Sequence, residues 1–345
     1  MNKTIKYAIN GTLWIGGINA IINALNQKEK QQPNESFNWN EFFKAFRKGA
    51  FLGGAGGLVI GAIRDHEMTE ALIWAGGTAG YIKSTLVNNS ETDTSLLIKA
   101  KQIQDKLYVA FGDLLSEYPS LNGSVKKGTA IVGSDIDVVV KFNKNAGTIE
   151  DIRNLTGDYL TKKYCDRRLN KVRNQNHSIG LFFELNGEIK RIDVVPMREI
   201  ENGKGDTFLY SSLDARIIKT NSKVQSKILN FTAKEKRIIK LLKSWKIENQ
   251  IDISSVFIEH IVKRAFNEMY VPRRLDNALL IVIEYLANKI TKIRIVDPAN
   301  TNNIISDSLS DYEKEAIQNF CVTMLDNIEK DERNILDYFS ERLCY

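Results

Sequence analysis

Cysteine and histidine are scarce in this sequence, with three of each among 345 residues. Cys165, Cys321 and Cys344 lie far apart, show no CxxC spacing and are odd in number. They offer neither a disulfide framework nor a cysteine-built zinc site, and a reducing, cytoplasmic compartment suits them. His66, His177 and His260 are equally scattered, which argues against a histidine-built metal cluster or a nucleophile-histidine triad. Each reads as a surface or satisfied core residue. Internal repeats and low-complexity tracts are missing too. At 43% hydrophobic and 26% charged, the composition is that of ordinary globular protein, long enough for two domains with their own cores. The positive excess is modest, +6 from 48 Lys and Arg against 42 Asp and Glu. It favours anionic partners such as nucleotides, nucleic acid or an acidic membrane face without deciding for RNA.

Charge is also missing locally. Twelve of the 22 glycines fall in the first 80 residues, and within that segment Tyr7 to Gln27 and Gly49 to Ile63 contain no charged residue. A third apolar stretch runs from Ala71 to Ile82. The first has the length of a bilayer crossing, about 20 residues, but Asn10, Thr12, Asn19 and Asn23 dilute it. In the second, Gly49, Gly53, Gly57 and Gly61 recur every fourth residue and line one helix face, the small-xxx-small pattern that lets another backbone approach. Residues 1–90 therefore form a glycine-rich helical segment with two readings. One is a membrane-associated hairpin helped by the basic amphipathic stretch Phe42 to Lys48; the other is a tightly packed helical appendage or oligomerisation arm. A signal peptide is a third idea, since Lys3 and Lys6 precede an apolar run, but no A-x-A-like cleavage site follows.

Beyond residue 90 the patterning changes. Apolar residues repeat at three and four from Thr94 to about Glu117, predicting one long amphipathic helix that Pro119 ends. The runs AIVGSDIDVVVKF, HSIGLFFEL and IKRIDVVPM read as strands, with a basic helix near Ile149 to Arg168 between the first two. From Phe231 to Arg342 the chain reads as helical, punctuated by Pro272 and Pro298. The expected units are residues 1–90, 91–225 and 226–345.

Asp135 and Asp137 are two apart within a run of Ile and Val, so on a strand both carboxylates reach one face. Two like charges on a half-buried strand repel and are costly to desolvate, and a cation between them is the natural compensation. All-oxygen ligands suit a hard divalent ion such as Mg2+ or Mn2+. A lone DxD is common on exposed strand edges; its company here is what gives it weight. Upstream, Gly123 and Ser124 offer a tight turn, backbone N–H groups and a hydroxyl to a phosphate. Downstream, Asp193 lies in another strand-like run, RIDVVP, and an adjacent strand places it beside the first pair. Three carboxylates can hold two ions roughly 3.5–4 Å apart for in-line attack.

Gly-Ser, then Ser-Asp-Ile-Asp-Val, then Ile-Asp-Val-Val-Pro resembles the polymerase-beta nucleotidyltransferase superfamily. GTAIVGSDIDVVV and RIDVVP are most similar to the bacterial cyclic-oligonucleotide synthases of the cGAS and DncV-like kind, with oligoadenylate synthetases and archaeal CCA-adding enzymes as cousins. YSSLDARIIKTNSKVQ, IIKLLKSWK and ISSVFIEHIV resemble later segments, although a proline expected near Ser222 is absent. The likeness covers roughly residues 95 to 290. It implies an α+β fold: a mixed sheet with flanking helices as catalytic core, then a C-terminal helical lobe that closes over the nucleotide. It also implies that Lys243 and Ser255 contact the triphosphate, although spacing alone makes Lys243 a solvated helix residue. Some relatives stack the base on a tyrosine where this chain has Val256.

The activity implied is template-independent joining of nucleoside triphosphates, with release of pyrophosphate, into a cyclic di- or trinucleotide. In the related bacterial enzymes such signals activate an antiphage effector encoded nearby. Two Mg2+ or Mn2+ ions would sit on Asp135, Asp137 and Asp193, with Asp193 helping to deprotonate a ribose hydroxyl and Ser124 and Lys243 holding the leaving phosphates. Two rival readings stand beside it. An RNA or tRNA 3′-end nucleotidyltransferase would use the same carboxylates and grip RNA through a basic surface such as KEKRIIKLLKSWK. An inactive, membrane-anchored nucleotide-binding scaffold would need none of the chemistry.

Overall fold

The computed structural model describes residues 93–201 and 205–339. The stretch 1–90, and with it the expected helical hairpin, its membrane or helical partner and the signal-peptide alternative, lies outside the described residues. Among the described residues no helix is long and apolar enough to cross a membrane.

Helix α1, Thr94–Phe111, begins at Asp93, whose carboxylate accepts the backbone N–H groups of Ser95 and Leu96. Its buried stripe, Leu96, Ala100, Ile103, Leu107 and Phe111, follows the three-and-four spacing of the sequence. The helix stops earlier than that spacing predicts. From Gly112 a short 3-10 turn, Gly112–Leu114, takes over, and the backbone then pairs with a strand instead: Ser116 N–H donates to Lys141 O at 2.9 Å and Asn143 N–H to Leu114 O at 2.8 Å. Sheet hydrogen bonds thus replace the last expected helical turn.

Strand β1, Ser120–Asn122, and the five-residue helix α2, Gly123–Lys127, lead into β2, Ile136–Phe142. Helix α3, Ile149–Lys162, crosses to the hairpin of β3, Leu169–Asn174, and β4, Ile179–Leu185; β5, Glu188–Glu199, follows. A second hairpin, β6 Thr207–Ser211 and β7 Arg216–Thr220, is not signalled by the sequence patterning. The sheet runs β1-β2-β5-β4-β3, with β6 on the far end of β5 and β7 on β6. Within it β2 and β5 pair in parallel and the other neighbours antiparallel. Parallel pairing needs a long crossover, and here α3 with the β3–β4 hairpin supplies it.

One face of this mixed sheet is dry. Val138, Val140, Phe142, Leu181, Phe183, Ile192 and Val194 pack with the inner stripes of α1 and α3 in one cluster. Each fully buried Leu, Ile or Phe contributes roughly 1.5–3 kcal/mol, so this layer fixes the register of β2 and β5. By the period of two, Asp137 and Asp193 must then point to the opposite face.

A second cluster joins four helices: α5 Ala233–Glu248, α6 Ser255–Glu268, α7 Leu275–Lys289 and α8 Asp311–Lys330, preceded by the short α4, Ser222–Ile228. Trp245 and Phe257 are fully buried in it. Capping boxes start α5 at Thr232 with Glu235 and α8 at Ser310 with Glu313. Pro298 punctuates a hairpin rather than a helix boundary: β8, Val296–Asp297, turns into β9, Asn300–Ile304, and the Asp297 carboxylate accepts Ala299 N–H at 2.9 Å.

Candidate active site

The carboxylates meet on the wet face of the sheet. Asp137 and Asp193 are direct neighbours in the parallel register of β2 and β5, on strands about 4.8 Å apart. Asp135 lies one residue ahead of β2, not on it. A turn delivers it: Ile131 N–H donates to Ser134 Oγ and Ser134 N–H to Ile131 O, both at 3.0 Å, with Gly133 at φ +78°. Gly123 closes the site from the β1 side, where Asn122 pairs with Asp137. Its φ is +62°, and a Cβ there would stand 1.9 Å from Asp137 Oδ2, so only glycine fits. Ser124 follows it in α2, its carbonyl accepting Thr129 N–H at 2.9 Å.

Residues that sequence reasoning left out complete the cluster. Arg191 donates to Asp135 and sets its Nε 3.5 Å from Asp193 Oδ1. The signal was there, since Arg191 precedes Asp193 by two on a strand and must share its face. Gln175, the first residue of the β3–β4 turn, folds its amide back to donate from Nε2 to Asp193 Oδ1 at 3.1 Å. Ser178 Oγ holds the same amide by donating to Gln175 Oε1 at 3.2 Å, and the Arg153 guanidinium donates to Gln175 O. This fold-back requires Gly180 beneath it, because a Cβ there would lie 2.4 Å from Gln175 Nε2 and 3.2 Å from Asp193 Oδ1. No sequence signal announces Gln175; its reach exists only once the hairpin has formed.

Burial drives the electrostatics. It pushes Asp193 up from 3.8 to about 6, and the charges of Asp135 and Asp137 add to the effect while Arg191 and Gln175 oppose it. Asp137 is raised by burial and then by Asp135, and Asp135 by burial against the pull of Arg191. Three carboxylates thus face one guanidinium within the cluster.

Lys243 is not the solvated residue that spacing suggests. It is buried, and its Nζ donates to Thr129 O at 3.1 Å, Thr129 Oγ1 at 3.2 Å and Glu259 Oε1 at 3.2 Å. Glu259, on α6 and 2% exposed, also accepts from Lys127 at 2.7 Å and Thr129 Oγ1 at 3.1 Å. Burial raises the Glu259 carboxyl, but the ammonium groups of Lys127 and Lys243 more than offset this and hold it below 4.5. This knot ties the helical layer to the end of α2, the helix that carries Gly123 and Ser124. Ser255 opens α6 one turn before Glu259, after Ser254 caps the helix by accepting Phe257 N–H at 3.1 Å. Val256 is exposed and offers no ring. The structure therefore unites Asp135, Asp137, Asp193 and Gly123 and links Lys243 to them through Thr129. Ser255 is joined to the knot only along its own helix.

Among the described residues no three His, Cys, Asp or Glu side chains converge as a finished metal cage. The donors nonetheless fit a hard divalent cation: oxygen-only ligands, two on neighbouring strands, with more negative charge than one guanidinium neutralises. Asp135 is turned toward Arg191 instead.

The nucleotidyltransferase domain model matches residues 120–239. No curated protein matches the chain in sequence. Solved structures share its fold. Escherichia coli MS115-1 CdnC with ATP is 18% identical over 76% of this chain and 96% of its own, with a TM-score of 0.59. The Bradyrhizobium diazoefficiens CD-NTase CdnG in complex with GTP is 14% identical over 77% and 96%, with a TM-score of 0.62. Vibrio cholerae DncV, a cyclic AMP-GMP synthase and prokaryotic cGAS homolog, is 12% identical over 99% and 89%, with a TM-score of 0.53.

Proposed function

We propose that this chain, a nucleotidyltransferase by the domain at residues 120–239, is a metal-dependent, template-independent synthase that joins nucleoside triphosphates into a cyclic di- or trinucleotide and releases pyrophosphate. The observation that carries the reading is the parallel register of Asp137 with Asp193, beside Gly123, which sits at a φ of +62° and leaves no room for a Cβ next to the Asp137 carboxylate. Structures of the same fold hold ATP in CdnC and GTP in CdnG, and DncV makes a cyclic dinucleotide.

Asp135, Asp137 and Asp193 would hold the divalent ions, which when bound supply charge neutralisation and acidify the acceptor hydroxyl. Asp193 is suited to sit nearest that hydroxyl, because Gln175 fixes its orientation and burial favours its taking a proton. Gly123 and Ser124, directly after β1, would face the leaving phosphates. Lys243 and Lys127, tied to Glu259, set the position of that short helix and bring positive charge to it. Most of the rate would come from positioning and charge stabilisation.

Incubating the full chain with the four ribonucleoside triphosphates and Mg2+ or Mn2+, then identifying phosphatase-resistant products by mass spectrometry, tests the reading. A cyclic product absent from the Asp135→Ala, Asp137→Ala control supports it; a product indifferent to that control overturns it.

One observation favours RNA 3′-end transfer as the second reading. Lys162, Lys163, Arg167, Arg168, Lys171 and Arg173 are all exposed along the end of α3 and the edge strand β3. Of the acids beside them, Asp166 is taken by Lys99 at 2.6 Å and Asp158 pairs with Lys162 at 2.9 Å, which among the described residues leaves the other five unpaired with a carboxylate. The basic surface lies on the sheet domain, not on the KEKRIIKLLKSWK helix. A gel shift with RNA that weakens steeply with salt would support this reading, and no shift at low salt would remove it.

A further inference from the structure

Arg191 stands where a cation is wanted. Its guanidinium donates to Asp135 and its Nε lies 3.5 Å from Asp193 Oδ1, so it bridges two of the three carboxylates assigned above to metal binding. The bridge is incomplete. The Nε–H is buried without a hydrogen-bond partner, a state that costs free energy and asks for an explanation. One positive charge also meets three negative ones. Beside it a cavity of about 640 Å³ opens between Asp135, Arg191, Ser134, Phe182 and Glu188. Phe182 is the direct cross-strand neighbour of Arg191, and the face of its ring left free by Lys171 would receive a withdrawn guanidinium; Glu188 is already paired with Lys190 at 3.1 Å.

We propose that Arg191 is a resident counter-cation of the carboxylate cluster, a positioning residue that holds Asp135 turned away and must withdraw into this cavity before a divalent ion can use that carboxylate. The proposal rests on the metal-binding role given to the three aspartates. Its logic is competition: while Arg191 pairs with Asp135, the ion has only Asp137 and Asp193 as partners. Arginine suits the part because it stays charged at every working pH and its long stem lets the head move without the backbone.

Two measurements on the full chain test it without relying on turnover. The first is Mn2+ binding in the absence of nucleotide, read by loss of the free Mn2+ electron paramagnetic resonance signal. Arg191→Met should bind at least about tenfold more tightly than the wild type, as expected for removing a unit charge at close range. Arg198→Met, which removes a charge bonded to Gly147 O, should leave the affinity unchanged. The second is the Arg191 Nε–Hε resonance, assigned by its absence from the Arg191→Lys spectrum and followed as Mg2+ is added. Withdrawal predicts that it moves toward the position of solvent-exposed arginines as the site saturates. A resonance that stays put at saturating Mg2+ identifies Arg191 as a fixed charge and overturns the proposal. So does equal Mn2+ affinity, or no Mn2+ binding by Arg191→Met. The functional reading fails separately: no nucleotide product alongside a metal-dependent Arg191 shift refutes the synthase and leaves the switch standing.

Discussion

Asp193→Asn should make the metal-free protein more stable at pH 7.5. In the folded chain burial and two neighbouring carboxylates raise Asp193 from 3.8 to about 6. At 1.36 kcal/mol per unit, that difference means that ionising it costs the fold up to about 3 kcal/mol. Asparagine removes the charge and keeps an oxygen for the hydrogen bond from Gln175; the attraction of Arg191 is already included in the raised value. The expected gain is therefore on the order of 1–3 kcal/mol, several degrees in Tm for a unit of this size. The size of the gain depends on pH. Below 3.8 the carboxyl is protonated folded and unfolded, so wild type and variant converge. As pH rises toward 6 the unfolded chain ionises first and the wild type loses stability, and above about 6 the variant's advantage is complete. Scanning calorimetry in EDTA from pH 4 to pH 8 reads this directly. Saturating Mn2+ should then reverse the order at pH 7.5, because binding at a thousand times Kd stabilises the wild type by about 4.1 kcal/mol. A lower Tm for Asp193→Asn at pH 7.5 without metal, or a gain that does not change with pH, would refute the reasoning.

Gly123→Ala drives a methyl to 1.9 Å from Asp137 Oδ2 at a φ of +62°, and should cost about 1–3 kcal/mol in a urea melt; displacing the carboxylate by even 1 Å should cut turnover about a hundredfold. Gly180→Ala should push Gln175 off Asp193 and lose about 1.5–3 kcal/mol of a hydrogen bond to a charged group, read as a roughly 10- to 100-fold fall in kcat/KM. Gln175→Leu should match it, and the double variant should be no worse than either alone. Glu259→Gln leaves Lys127 and Lys243 without their buried counter-charge, and should destabilise the fold by about 3–5 kcal/mol. Because Glu259 sits below its ordinary 4.5, its contribution is present above that pH and fades on acidification, which denaturant midpoints between pH 3 and 7 would follow.

What the sequence made legible is what its periods encode. The three-and-four stripe of α1, the alternation that sets Asp137 and Asp193 on one face, and the Gly-Ser after a short strand all follow from local spacing. Asp135 shows where spacing fails: the Ile131–Ser134 turn, not strand alternation, puts it in the site. The end of α1 was hidden because the choice at Gly112 lies with Lys141, a partner some thirty residues away in the chain. Lys243 misled for a related reason. A lysine in a basic helix looks solvated until Thr129 and Glu259 arrive from elsewhere. The clue was on the other helix, where Glu259 interrupts the apolar run of Phe257, Ile258, Ile261 and Val262; a carboxylate on a buried face implies a cation facing it.

The same bookkeeping links the two ends of the site. At the carboxylates negative charge exceeds positive, three to one with Arg191. At the α2 end positive exceeds negative, Lys127 and Lys243 against Glu259. The two imbalances have opposite signs, and Lys127 at the end of α2 is close enough to act on Asp137. A nucleoside triphosphate with its divalent ions carries both missing charges in one molecule, anionic phosphate beside metal cation. Each half of the ligand then relieves the strain that the other half would leave in place, which predicts that metal and triphosphate bind cooperatively. Mn2+ affinity should rise when a non-hydrolysable triphosphate is present, and the triphosphate's affinity should rise with Mn2+ by the same factor. Independent binding of the two would mean that the charges around Glu259 and those of the aspartates are not coupled.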